Sequence, residues 1–277
     1  STYINLIISQ LFQTESNREN KRIISNLKEI KQQVSSNTYH ILSITTKSWK
    51  EPVTKMEFAW VSNGSFDMGS NSGDNDEKPV HRVNLDGFWI GKYEVTNGQF
   101  RRYKPEHNSG KGFNDDNQPV VKVSWNEAKE FVKWLSKKSN GKYEFRLPTE
   151  AEWEYACRAG TDTRYYTGYT EEDLKKAGWY YENSGSKTRP AGEKEPNAFG
   201  LYDMHGNVWE WCGDWYGDYP KQSVTNPAGP DSGSSRVLRG GSWFGHARSC
   251  RSAIRSRNVP GLRDFLVGFR VLRSLPL

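Results

Sequence analysis

Residues 236–243 of this chain read Arg-Val-Leu-Arg-Gly-Gly-Ser-Trp, and residues 268–270 read Gly-Phe-Arg. Between them, large apolar, charged and flexible residues follow one another without the repeat of a strand or of a helix. A segment with regular ends and unpatterned contents indicates side chains that are displayed, not buried. The unpatterned positions are Phe244, Gly245, His246, Ile254, Ser256, Arg257, Asn258, Val259, Gly261, Leu262, Asp264, Phe265, Leu266 and Val267.

Arginine dominates the charge of this C-terminal part. Residues 236–274 hold nine Arg, no Lys and one acidic residue. An all-arginine set favours bidentate bonds to carboxylates and loop carbonyls, which would pin the segment in place. We expect this bracing role of six residues, Arg239, Arg248, Arg251, Arg255, Arg263 and Arg270. A nucleic-acid interface is the less favoured interpretation, because no known binding motif accompanies the arginines.

Local signals predict several elements outside this segment. The alternation of residues 56–70 is typical of a strand pair. A helix is expected to begin at Thr96 or Asn97, and Ser124 with Glu127 predicts a capping box on a second helix. Thr149 and Glu152 predict the same start for a third helix, which Gly160 would end.

These motifs together resemble a known family. Residues 145–160 and 197–212, with the stretches at 236–243 and 268–270, are similar to the formylglycine-generating enzyme (sulfatase-modifying factor) family and to its offshoot, the variable proteins of diversity-generating retroelements. The resemblance implies an α+β, C-type-lectin-like fold with irregular loops over residues 53–277. Residues 1–52 would form an N-terminal helical extension or small module, because residues 23–34 place apolar side chains at helical spacing.

The resemblance to variable proteins also bears on the unpatterned run. In such systems, mutation at template adenines changes AAC-type Asn codons into codons for fifteen possible residues. Lys, Glu, Gln, Met and Trp cannot arise by that route. All fourteen positions carry residues from the permitted set. The segment of about 243–268 is therefore expected to display diversifiable residues that recognise a partner, which we expect to be a protein.

An oxidase of the formylglycine-generating type, acting on a protein cysteine, is the alternative. Oxidising members of the family use two cysteines whose thiolates bind Cu(I). In this chain the corresponding positions are Gly245 and Cys250, and glycine has no sulfur. We therefore expect no copper and no catalysis. A plain accessory domain in a sulfatase-modifying system, recruited through the N-terminal helix, is a third possibility.

Calcium is the metal that the resemblance implies. Asn207, the carbonyl of Val208 and Glu210 lie on one turn and offer the oxygen ligands that a hard cation needs. Asp203 and Asp214 are nearby candidates to complete the shell. The alternative is that the side chains of Asn207 and Glu210 bond to the protein itself.

Composition narrows the class of protein further. Apolar residues make up 34% of the chain and aromatic residues 13%, which suits a loop-rich fold with a core of large rings. No run of consecutive apolar residues approaches the length of about 20 that a membrane-spanning helix needs. Three cysteines are too few for a disulfide framework and favour a reducing, cytoplasmic compartment. A cell-surface location is the alternative if a targeting segment has been removed.

Overall fold

The computed structural model describes residues 48–274. The helix expected around residues 23–34 lies outside this range. The C-terminal unit begins at Ser48 and not at residue 53 as predicted, because Ser48–Lys50 forms a strand that pairs with Glu57–Ala59. The boundary therefore moves five residues towards the N-terminus.

Helices are short, as expected of an irregular α+β fold. They are α1 (Asn97–Phe100), α2 (Trp125–Lys138), α3 (Glu150–Arg158) and α4 (Glu171–Ala177), with 3-10 turns at Asn75–Glu77 and Ala247–Cys250. The predicted capping boxes at Ser124 and Thr149 are confirmed, and Thr96 is the N-cap of α1. α3 ends at Arg158, and its C-cap is Ala159, one residue before the predicted glycine, in the left-handed conformation at φ 45°.

Strands supply most of the architecture. In chain order they are β1 (Ser48–Lys50), β2 (Glu57–Val61), β3 (Gly64–Met68), β4 (His81–Leu85), β5 (Phe88–Gly91), β6 (Phe145–Arg146), β7 (Gly178–Trp179), β8 (His205–Gly206), β9 (Trp209–Trp215), β10 (Val224–Thr225), β11 (Arg236–Arg239), β12 (Ser256–Asn258), β13 (Val267–Gly268) and β14 (Leu272–Arg273). They form sheets ordered β1-β2-β5-β14-β6, β10-β4-β3, β12-β11-β9-β13 and β7-β8.

The strand pair expected within residues 56–70 exists as two strands that belong to different sheets. β2 pairs with β1 and β5, whereas β3 pairs with β4. The prediction that these two strands pair with each other is wrong, because alternation shows that a strand has one buried face and does not identify its partner. The chain crosses from one sheet to the next at residues 62–63.

The sheet that carries the C-terminal segment lies on a core of aliphatic and aromatic side chains. α2 buries Ala128, Phe131, Val132 and Leu135 in this core, and β13 returns to it through Val267. β9 lies between β11 and β13, pairing antiparallel with β11 and parallel with β13. Both ends of the unpatterned run are therefore tied to one central strand. Over residues 48–274, every helix falls short of the length and apolarity needed to cross a bilayer.

Candidate functional site

Buried arginines hold the C-terminal segment in place. Arg239 is fully buried, and its guanidinium donates hydrogen bonds to the carbonyl oxygens of Ser252, Ala253 and Ile254 and to the carboxylate of Glu154. Burial alone would raise the pKa of Glu154, but Arg158 and Arg239 lower it below its ordinary value. Both partners of the pair therefore stay charged, and the chain around residue 253 is anchored to α3.

Three further arginines of the expected bracing set form bidentate pairs with carboxylates. Arg255 donates to Glu150 at 2.6 and 2.8 Å, and Arg270 donates to Glu210 at 2.7 Å through each of two nitrogens. Arg251 binds both carboxylate oxygens of Glu77, which is itself buried. Charge-assisted forks of this kind restrict orientation as well as distance.

The other two members of that set behave differently. Arg263 donates to Glu127 at 2.8 Å, but its side chain is 57% exposed, so this bridge contributes little. Arg248 is exposed, and its guanidinium makes no ion pair with any residue between 48 and 274. The prediction that Arg248 braces the segment is wrong, because its exposed guanidinium bonds to no carboxylate or carbonyl oxygen of residues 48–274.

The run itself is held through its main chain. The backbone N–H groups of Tyr181, Lys122 and Trp209 donate to the carbonyl oxygens of Gly245, Asp264 and Leu266, respectively, at 2.7–2.9 Å. The indole N–H of Trp243 donates to the carbonyl oxygen of Phe265 at 3.0 Å. These bonds do not depend on which side chains the accepting residues carry.

Glycines in the segment fall into two kinds. A Cβ at Gly241 would lie 2.5 Å from the carbonyl oxygen of Ser249, and one at Gly268 would lie 2.6 Å from that of Val120. A Cβ at Gly245 would meet its nearest atom at 3.4 Å, an ordinary contact, and one at Gly261 would meet nothing within 4 Å. Side chains therefore fit at the two unpatterned glycines and not at the two glycines of the motifs.

Most of the fourteen unpatterned positions reach solvent, and two do not. Ile254 and Val267 are buried, so the prediction that they are displayed is wrong. Val267 lies in β13, where pairing with β9 turns it into the core. Ile254 is one of the three residues whose carbonyl oxygens accept hydrogen bonds from Arg239. The exposed positions are Phe244, His246, Arg257, Val259, Gly261 and Phe265, and the half-buried ones are Gly245, Ser256, Asn258, Leu262, Asp264 and Leu266.

The sequence predicts that five large apolar side chains of the run are exposed together, namely Phe244, Ile254, Leu262, Phe265 and Leu266. Fewer of them reach solvent than predicted. Leu262 and Leu266 pack against the core and are partly exposed to water. Phe244 and Phe265 remain open, at 55% and 42% exposure. The exposed apolar side chains of the run are therefore the two aromatic rings and the smaller Val259, which is 53% exposed.

Aromatic rings connect these open positions into one surface. Phe265, Phe113, Trp243, Phe244, Tyr181 and His246 contact one another in that order, with centroids 5.2–5.8 Å apart. We call this set the aromatic row. Neighbouring planes are inclined by 42–77°, so the row is corrugated and not flat.

Charged groups flank both ends of the aromatic row. The Lys122 ammonium lies 5.0 Å from the Phe265 ring centroid, and Nδ1 of His246 lies 3.4 Å from the carboxylate of Glu182. Sequence reasoning missed Phe113, Lys122, Tyr181 and Glu182 as members of this surface. They lie in loops far along the chain from residue 244, and no local pattern marks them.

Cysteine chemistry at the oxidase position is limited by burial. Cys250 is fully buried, and burial raises the pKa of its thiol to about 12, so the thiol stays protonated at neutral pH. The corresponding first position is Gly245, which is half-buried and carries no donor. Cys157 and Cys212 are also buried and free, so within residues 48–274 no cysteine forms a disulfide.

The predicted calcium ligands are engaged by protein groups. The side chain of Asn207 donates to Glu94 and to the carbonyl oxygen of Arg189 and accepts from the N–H of Arg189. Glu210 is neutralised by Arg270 and also accepts from the indole of Trp153. These two side chains do not fit a calcium ion in this arrangement.

Two other carboxylate oxygens near this turn are buried without a hydrogen-bond partner, Oε1 of Glu94 and Oδ1 of Asp203. Burial raises the pKa of Asp203 to about 6 and holds that of Glu94 well above its ordinary value. Asp203, named above as a candidate ligand, therefore fits a cation better than Asn207 does. Asp214 is buried and accepts from the N–H of Glu150 at 2.8 Å.

Comparison with known proteins places this surface in a family context. The structure is similar to that of Treponema denticola variable protein 1, with 34% identity and a TM-score of 0.73 over 82% of this chain and 98% of that one. The mouse formylglycine-generating enzyme is 30% identical over 80% of this chain and 76% of its own length. The resemblance to both branches, stated from the motifs, is confirmed.

A third relative is longer than the region that matches this chain. The Chlamydia caviae protein named serine/threonine-protein kinase pkn1 is 36% identical over 79% of this chain. The matched region covers 38% of that relative's length. The profile described as the sulfatase-modifying factor enzyme 1-like domain matches residues 45–275. The chain therefore belongs to the sulfatase-modifying factor enzyme 1-like domain family.

Proposed function

We propose that this chain is a non-enzymatic binding protein whose C-terminal segment displays exchangeable side chains that recognise a partner protein. The proposal rests on a division within the segment. Buried arginines and main-chain hydrogen bonds form a frame that holds the run, and the exposed and half-buried unpatterned residues are the open positions. The frame bonds the run through carbonyl oxygens, and the open positions can change without disturbing those bonds. Recognition residues are commonly placed on loops over a rigid scaffold in this way.

The aromatic row points to a protein partner. Clustered aromatic side chains are enriched among the residues that dominate protein interfaces, since they bury a large area at low entropic cost. The inclined rings leave gaps that suit inserted side chains better than a flat platform would. Lys122 and Glu182 would form a polar rim that orients the partner.

Panning random phage-displayed peptides on the full chain tests this proposal. Selected peptides should bind a Phe244→Ala/Phe265→Ala variant about thirtyfold more weakly, a loss of about 2 kcal/mol. Tyr169→Ala is the matched control, because Tyr169 is 61% exposed and lies outside the aromatic row. Peptides that bind all three proteins equally would overturn the assignment of this surface.

The family relation keeps an oxidase as the second candidate function, since the formylglycine-generating enzymes are close in sequence. The distinguishing measurement is oxygen consumption with stoichiometric Cu(I) and a cysteine-containing peptide. We expect none, because Gly245 supplies no thiol and Cys250 stays protonated. Copper-dependent turnover by the unaltered chain would establish the oxidase and reject the binding role as the primary one.

A structural calcium ion at the turn of residues 203–210 stays a prediction. Its main support is the buried, unpartnered oxygens of Asp203 and Glu94. If calcium binds there, a chelator should lower Tm by several degrees in the wild-type chain and leave an Asp203→Asn variant unchanged. An equal Tm with and without the chelator in the wild-type chain would show that no such ion stabilises the fold.

A further inference from the structure

A cavity of about 660 Å³ lies apart from the aromatic row. Its walls come from the loop after β3, the loop between α3 and α4, and the 3-10 turn at Ala247–Cys250. This volume is in the range that holds small molecules. Ile254, which was expected on the display surface, contributes an apolar side chain to its wall.

Two of the four arginines that line the cavity are already neutralised. Arg158 donates to Glu154 at 2.8 Å, and Arg251 is paired with Glu77. Both carboxylates are fully buried and belong to the frame. These two guanidinium groups therefore shape the wall and are not available to a ligand.

The other two arginines, Arg164 and Arg248, are exposed and make no ion pair with any residue in the described range. Three aspartates also line the cavity, and two have basic neighbours: Asp67 lies 3.3 Å from Arg82 and Asp74 lies 3.8 Å from Arg251. Of the charged residues that line the cavity, four are arginines and three are aspartates, so the lining carries one net positive charge.

Hydroxyl groups and an aromatic ring complete the lining. Ser70 and Ser72 present hydroxyl oxygens 3.2 Å apart, and both side chains can donate to an anion. The ring of Tyr169, which is 61% exposed, lines the same cavity. Guanidinium groups and hydroxyls together are the donors that bind the oxygens of carboxylates and phosphates.

We propose that this cavity binds a small molecule through a carboxylate or phosphate group, held by Arg164 and Arg248. This site is separate from the aromatic row and does not depend on the protein partner proposed above. Because Ile254 forms part of the wall, exchange at this position would change the shape of the small-molecule cavity and not the partner surface.

Isothermal titration of the full 277-residue chain with inorganic phosphate and, separately, with citrate at constant ionic strength tests the site. We expect saturable binding of at least one of them, with a dissociation constant of about 1 mM or tighter. An Arg164→Gln/Arg248→Gln variant should bind at least about tenfold more weakly. The double variant should fold normally, because neither guanidinium bonds to the described residues. Citrate binding without phosphate binding would assign the site to carboxylates, and the reverse would assign it to phosphates.

Arg102→Gln is the matched control, since Arg102 is an exposed arginine outside the cavity. It should leave the affinity unchanged. Equal affinity of the double variant and the control would place the anion elsewhere and overturn the proposal. Absence of saturable heat for both anions with the wild-type chain would overturn it as well.

Discussion

Arg239 and Arg257 lie on neighbouring strands and have opposite roles. Arg239, on β11, is fully buried and bonds to a carboxylate and three carbonyl oxygens. Arg257, on β12, is exposed, and its guanidinium lies 4.3 Å from the ring centroid of Tyr216. The same residue type thus serves once as frame and once as a displayed group. Position in the sheet, and not residue type, decides which role applies.

Removal of the frame arginine should have the largest effect on stability. We expect Arg239→Met to lower the free energy of unfolding by about 3 kcal/mol or more, because three carbonyl oxygens and part of the charge of Glu154 lose their partner. Arg257→Met, the matched change at a displayed position, should cost about 0.5 kcal/mol or less. Urea unfolding followed by circular dichroism measures both. Similar losses would show that the distinction between frame and display is false.

The second-largest difference in stability is expected between alanine substitutions at the two kinds of glycine. Gly241→Ala places a methyl group against the carbonyl oxygen of Ser249 at φ 83°, so we expect a loss of about 2 kcal/mol. Gly245→Ala has room for the methyl group and should change stability by about 0.5 kcal/mol or less. Thermal unfolding of the two variants in parallel makes the comparison. A costly Gly245→Ala would mean that this position cannot vary.

The frame should also show a pH dependence that the displayed side chains do not share. Burial, with the nearby carboxylate of Glu150, raises the pKa of Asp214 from 3.8 to about 8. A raised folded-state pKa means that the native chain holds this proton more tightly than the unfolded chain. Stability from this group is therefore complete below about pH 4 and is lost as pH rises through 8.

Asp214→Asn removes the titrating group, so the loss of unfolding free energy between pH 5 and pH 9 should shrink by an amount on the order of 1 kcal/mol. The variant should still fold, because the amide oxygen can accept from the N–H of Glu150. Unfolding midpoints between pH 5 and pH 9 give the slope for each protein. A wild-type stability that increases over this interval would contradict the assignment.

The smallest stability effect is expected in the aromatic row. Phe244→Ser and Phe265→Ser should each change the free energy of unfolding by about 0.5 kcal/mol or less, because the two rings are 55% and 42% exposed and neither lies in the core. Phe269→Ser is the internal contrast, since Phe269 is fully buried in the core that contains Phe131. Equal destabilisation by Phe265→Ser and Phe269→Ser would assign Phe265 to the core.

Local chemistry explains which predictions from the sequence succeeded. Capping boxes at Ser124 and Thr149 need only residues three positions apart, and the structure contains both. The bracing roles of Arg239, Arg251, Arg255 and Arg270 followed from the absence of lysine among them. Their carboxylate partners lie 60 to 174 residues away in the chain and could not be named from the pattern.

Long-range pairing explains which predictions failed. Val267 is buried because β13 pairs with β9, and no sequence pattern in residues 259–267 predicts this pairing. The two strands of residues 56–70 separate into different sheets for the same kind of reason. Phe113 and Tyr181 join the candidate surface from loops, where sequence carries the least positional information.

Phe244 occupies the middle of the aromatic row, in contact with Trp243 on one side and Tyr181 on the other. Exchange of this one residue for a small polar one would divide a continuous apolar strip into two shorter islands. The residue encoded at position 244 therefore decides whether a partner meets one continuous apolar surface or two small ones. Changes at the two ends of the row would only shorten that surface.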